Sequence, residues 1–151
     1  IYNGRTTPLD LSTCDVNLYS NGGLVATPYT ALTGTLAAGD VFVLCHGGAG
    51  AVLLPFCDLP LGPSGGALAF NGNDAIELVC GGVTMDVIGQ IGLDPGTRWG
   101  SPPTSTLDTT LRRSCSIVVG DGNGADAFTP ASEWSGLPTD TFAGLGTRGC
   151  P

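Results

Sequence analysis

Glycine and proline interrupt this chain so often that a long helix has nowhere to form. With 25 glycines and 11 prolines among 151 residues, close to a quarter of all positions either lose backbone freedom in a helix or lack the amide proton a helix needs. Short apolar or alternating segments remain between these breaks, so a β-rich chain with long loops is expected. The length suits one core and is short for two, which makes residues 1–151 one expected domain. No apolar run approaches the roughly 20 residues that span a bilayer. The longest, Ala51 to Phe56, already contains Pro55.

Charge narrows the partners. Eleven Asp and two Glu face five Arg and no Lys, for a net charge of −8. Such a surface repels phosphate backbones and anionic lipid, so neither direct nucleic-acid binding nor membrane insertion is expected. Six cysteines (Cys14, Cys45, Cys57, Cys80, Cys115 and Cys150) form an even set, which points to disulfides and an oxidising, extracellular setting. There is no C-x2-C pair, and the single histidine, His46, adjoins Cys45, so zinc is not expected. The chain opens at Ile1 without Met or a signal segment, as a processed or excised piece would. No N-x-S/T sequon occurs.

Strand signals recur along the chain. Cys14, Val16 and Leu18 alternate with Asp15, Asn17 and Tyr19, which predicts one apolar and one polar face. Val41 to Cys45 is a continuous apolar run that suits a strand buried on both sides. Ala49 to Phe56 has room for one helical turn before Pro55. The clearest hairpin is Ala75–Cys80 and Val83–Ile88 joined by Gly81-Gly82, because a two-residue turn needs positive φ at both positions. A strand is expected around Thr110–Arg113 and a final segment near Thr141-Phe142.

Residues for catalysis are few. His46 lacks a second histidine or a G-x-S-x-G elbow to work with, and it reads as a loop residue. Asp121-Gly122-Asn123-Gly124-Ala125-Asp126 offers three oxygen side chains of the kind calcium takes. The EF-hand pattern fails there, and those residue types also dominate ordinary turns. No cofactor or metal site is expected. Trp99 and Trp134 could form an exposed aromatic platform, but anchoring of the core and loops is the expected role. Of the adjacent Arg112 and Arg113, strand alternation sends one outward and one toward the core or a carboxylate. Ser101 to Thr110 is expected to be a polar loop, with O-linked sugar as the alternative.

Taken in order, Ile1-Tyr2-Asn3-Gly4, Leu18–Gly22, Phe70–Leu78, Asp86–Gly92 and Thr110–Arg113 resemble the lamin-tail domain. The resemblance extends to Asp94-Pro95-Gly96 with Trp99-Gly100, and to Asp126-Ala127-Phe128 with Glu133-Trp134. It is closest to the version found beside catalytic domains in secreted bacterial nucleases. It implies an immunoglobulin-like antiparallel β-sandwich, all-β in class. Such domains usually begin with an earlier strand, so here a first strand is expected to be missing and the sheet to be completed at Ile1, Tyr2, Asn3 and Gly4 by a neighbouring chain or segment.

The family does not supply the cysteine pairing. The short segment between Cys45 and Cys57 can fold back to join them, Cys14 with Cys150 would tie the two ends, and Cys80 with Cys115 is what remains. Fifteen connectivities are open to six cysteines. The functional expectation is a non-enzymatic, secreted structural or interaction module that works by self-assembly or beside neighbouring domains in a fibre or coat. The alternative is an accessory domain that targets a secreted nuclease or other hydrolase to its substrate.

Overall fold

The longest strands form where apolar side chains recur at alternate positions, and glycine directly follows β-segments Ala75–Cys80 and Val83–Ile88. A computed structural model describes residues 1–149. Its strands are β1 (Leu9–Asp10), β2 (Cys14–Tyr19), β3 (Tyr29–Ala31), β4 (Thr35–Leu36), β5 (Leu44–Cys45) and β6 (Leu59–Pro60). They continue with β7 (Ala75–Cys80), β8 (Val83–Ile88), β9 (Gly100–Ser101), β10 (Thr104–Ser105), β11 (Thr110–Arg113) and β12 (Trp134–Leu137). One helical turn, α1 (Pro130–Glu133), precedes β12. β3, β2, β7 and β8 form a four-stranded antiparallel sheet in that order, and the remaining strands pair two by two. Only β5 with β6 runs parallel. The result is an all-β, sandwich-like fold with long loops.

β2 buries every second residue, as its sequence requires: Cys14, Val16 and Leu18 are buried while Asp15, Asn17 and Tyr19 are not. These apolar side chains share a face with their register partners Cys80, Leu78 and Ile76 on β7. Leu9, Leu11, Leu36, Phe42, Leu44, Leu59 and Ala67 pack against that face, so β1–β4, β5–β6 and the turn at Gly66–Leu68 supply the second layer. The β7–β8 hairpin turns at Gly81 (φ +59) and Gly82 (φ +76), the left-handed pair that this turn demands. A bulge beside Leu78 and Val79 leaves Met85 without a register partner and lets it pack on the core.

The apolar run Val41 to Cys45 is a strand only at Leu44–Cys45. The Val43 carbonyl instead accepts the amides of Asp58 and Leu59, and its N–H donates to the Asp58 carboxylate at 2.8 Å. The helical turn expected in Ala49 to Phe56 appears as a 3-10 turn at Leu54–Phe56. Thr141-Phe142 is not a strand. β11 pairs with β12 instead, which the glycine in Trp134-Ser135-Gly136-Leu137 disguises.

The cysteine pairing corrects the expectation for two of three bridges. Cys45 bonds Cys57, as the short segment suggested. Cys14 bonds Cys80, not Cys150, which lies outside the described residues. Cys80 is therefore not joined to Cys115, which is itself disulfide-bonded. The reason is register. Cys14 and Cys80 sit directly opposite on β2 and β7 with Cα atoms 4.0 Å apart, and the Gly81 N–H to Thr13 carbonyl bond one step away makes them a non-hydrogen-bonded pair, where cross-strand side chains come closest. These disulfides are the chemistry of an oxidising environment.

Candidate functional site

The sheet presents its non-core face through Asp15, Asn17 and Tyr19 of β2 and Glu77 of β7. Glu77 is 6% exposed, and a buried carboxylate needs donors. It has three: Tyr19 Oη donates to Oε2 at 2.7 Å, Asn17 Nδ2 to Oε2 at 3.1 Å, and Thr84 Oγ1 to Oε1 at 2.7 Å. Burial alone pushes the Glu77 carboxyl up, but the bonds from Tyr19, Thr84 and Asn17 outweigh it and hold it below the usual carboxylate range. Burial and the adjacent Glu77 push the Tyr19 phenol up to about 12. Both carboxylate oxygens are thus engaged in joining β2, β7 and β8.

At the far side of β8, Arg113 forms a second closed cluster. It donates to Asp86 (Nη2 to Oδ1, 2.9 Å) and to Glu133 (Nη2 to Oε2, 3.0 Å), and its guanidinium lies 4.8 Å from the centre of the Trp134 ring. Asp86 Oδ1 also accepts the Asp121 N–H at 2.8 Å. Arg112 is exposed and donates to the Ala143 carbonyl. The pair divides as alternation requires, one inward to carboxylates and one outward.

The two ends of the four-stranded sheet differ. Gly120 lies so close to β8 that a Cβ there would stand 2.3 Å from the Met85 carbonyl oxygen, and Gly124 accepts the Ile91 N–H just past the strand at 2.7 Å. The chain thus covers that edge. β3, the other edge, has no strand on its outer side among the described residues. Leu32 N–H donates to the Cys14 carbonyl and Leu18 N–H to the Pro28 carbonyl. The intervening Val16 and Thr30 are consequently the hydrogen-bonded pair, while Asp15 opposite Ala31 and Asn17 opposite Tyr29 are not. The N–H and C=O groups of Tyr29 and Ala31 must therefore point away from β2, into solvent. Tyr29 is 66% exposed, and Leu24 and Val25 in the preceding loop are 77% and 76% exposed. A row of unpaired amides beside exposed apolar side chains is a template for another strand.

The segment expected to leave an open edge is itself paired. The Ile1 ammonium donates to the Phe42 carbonyl and the Phe42 N–H to the Ile1 carbonyl, Asn3 N–H donates to Asp40 O, Gly39 N–H donates to Asn3 O, and Tyr2 bridges Val41. Asn3 is buried, and its Nδ2 donates to the carbonyls of Thr7, Leu36 and Ala37 at 3.0 Å. Gly4 is exposed and packs beside the Tyr2 ring. The free edge lies at β3, which no motif marks, because the sequence does not reveal which strand ends a sheet.

His46 is exposed, and its Nδ1 accepts the Gly48 N–H at 2.8 Å. Asp121 Oδ1 accepts Asn123 N–H, and Asn123 Oδ1 accepts Ala125 N–H, the side-chain-to-backbone bonding of successive turns. Among the described residues no group of three or more His, Cys, Asp or Glu is placed to hold a metal ion. Trp99 is buried and meets Phe128 edge-on at 6.0 Å, while Trp134 is half-buried beneath Arg113 of β11, so the first packs against a loop and the second against the paired strand. Ser101 to Thr110 is no solvated loop. Ser105 is wholly buried, Thr106 Oγ1 bonds the Gly72 carbonyl, Thr104 Oγ1 accepts Gly136 N–H, and Thr110 Oγ1 accepts Thr141 N–H. No helix among the described residues is long and apolar enough to cross a membrane.

No family model, curated protein or solved structure matches this chain.

Proposed function

We propose that the protein is a non-enzymatic, extracellular structural or interaction module with a lamin-tail-like sandwich, whose four-stranded sheet is extended at β3 by a strand from a neighbouring chain or segment. The unpaired outward amides of Tyr29 and Ala31, beside exposed Tyr29, Leu24 and Val25, carry this reading. The saturation of Glu77 and the engagement of Arg113 support it, since both groups act as ties between strands. The disulfides suit secretion and work in a surface assembly.

The test replaces Tyr29 with the photo-crosslinking residue p-benzoylphenylalanine in the full chain, in the cells that produce it. A single defined polypeptide segment should be captured, and Ala31→Pro should abolish the capture. Proline at that position removes an outward N–H while sparing the bonds to β2. The same photo-residue at Val83, which is 61% exposed on the hairpin, serves as the control. Equal capture at Val83, or capture that survives Ala31→Pro, would overturn the proposal.

A further inference from the structure

Resting on the reading of β3 as a docking edge, we propose that the added strand comes from a basic protein segment and places a lysine or arginine over Ala31 to meet Asp15. Asp15 is the register partner of Ala31, is half-buried on the non-core face, and has neither an ion pair nor a side-chain hydrogen bond among the described residues. Its position is the consequential part. Asp15 and Ala31 form a non-hydrogen-bonded pair, with Cα atoms about 4.5 Å apart, and a residue added opposite Ala31 would form a hydrogen-bonded pair at about 5.5 Å. A side chain on the new strand therefore starts about 10 Å from Asp15 on the same face, with only the methyl group of Ala31 between them. Lysine or arginine together with aspartate can close that gap, and a larger residue at Ala31 would block it. The exposed Tyr29 ring, two residues along the same face, offers the aliphatic stem and the cation a surface to lie against.

Charge selects the occupant. The chain carries 13 acidic residues against five arginines and no lysine, and both ion pairs among the described residues belong to Arg113. It has little positive charge to offer Asp15, and at −8 a second copy of itself is repelled from the same edge. A strand that brings its own cation is favoured on both counts.

The experiment titrates the isotope-labelled full chain at low ionic strength with the acetylated, amidated heptapeptide Ser-Thr-Val-Lys-Val-Thr-Ser and with its Gln counterpart, reading the amide resonances of Tyr29, Thr30 and Ala31. The lysine peptide should bind about two- to fivefold more tightly, the range for one exposed ion pair. Asp15→Asn should erase that preference, and Asp126→Asn, which removes equal charge from an exposed site beyond β8, should keep it. Ala31→Pro should lose both peptides. Equal binding of the two peptides, or equal loss of preference in Asp126→Asn and Asp15→Asn, overturns the basic partner while leaving the docking edge in place. Failure of both peptides to shift Tyr29 to Ala31 overturns the edge itself. Sedimentation showing a dimer that Ala31→Pro dissolves would name a second copy as the occupant and overturn the charge argument.

Discussion

Removing the Cys14–Cys80 crosslink tests the register on which the sandwich depends. The bridge spans 66 residues of sequence, against 12 for Cys45–Cys57. In the chain-entropy account, a loop of the first size stabilises the fold by about 4 kcal/mol and one of the second by about 3 kcal/mol. Cys14 is 2% and Cys80 8% exposed, so Cys14→Ala with Cys80→Val keeps an apolar pair in the vacated space, and the measured loss reports chiefly the crosslink. Urea unfolding followed by the fluorescence of Trp99 and Trp134 should show a loss of about 4 kcal/mol, with a steeper denaturant dependence because the unfolded chain expands. For a domain of this size that loss lowers Tm by about 8–16 °C. Cys45→Ala with Cys57→Ala should cost less in the same assay. A loss below about 1 kcal/mol at Cys14 and Cys80, or a larger loss at Cys45 and Cys57, would rule out loop closure as the source of the stabilisation.

Tyr19, held up to about 12 in the fold, favours its protonated form there. Its contribution is complete below the unfolded value near 10 and is lost as pH rises through about 12, and Tyr19→Phe should remove that fall from the alkaline limb. Glu77 is held low, so its contribution is present above the ordinary carboxyl range and lost on acidification, and Glu77→Gln should flatten the acid limb of stability against pH. Arg113→Ala strands Asp86 and Glu133 and should cost about 2–3 kcal/mol by denaturation, with Arg113→Lys restoring less than half because an ammonium lacks the planar fork that pairs with both Asp86 oxygens while reaching Glu133. At Gly136 a Cβ would stand 1.8 Å from the Pro103 carbonyl oxygen, whereas at Gly50 it would meet nothing within 4 Å. Gly136→Ala should therefore cost about 3 kcal/mol or more and Gly50→Ala less than about 0.5 kcal/mol in thermal melts.

Features set by local chemistry were legible along the chain. The glycine and proline density ruled out long helices, the alternation from Cys14 to Tyr19 set which face of β2 is buried, and Gly81-Gly82 specified the hairpin turn. The proximity of Cys45 to Cys57 likewise foretold their bond. The remaining features arise only in the folded molecule, because their contacts join residues far apart along the chain. Cys14 meets Cys80 only once β2 and β7 are in register. The apolar run at Val41 to Cys45 gives way to mostly irregular backbone because Asp58 and Leu59 capture Val43. Ser101 to Thr110 reads as a polar loop until its hydroxyls are seen bonding Gly72, Gly136 and Thr141. The free edge at β3 is not a property of Tyr29-Thr30-Ala31 themselves. Any short strand carries outward amides on alternate residues, and only the assembled sheet determines whether a neighbour takes them up.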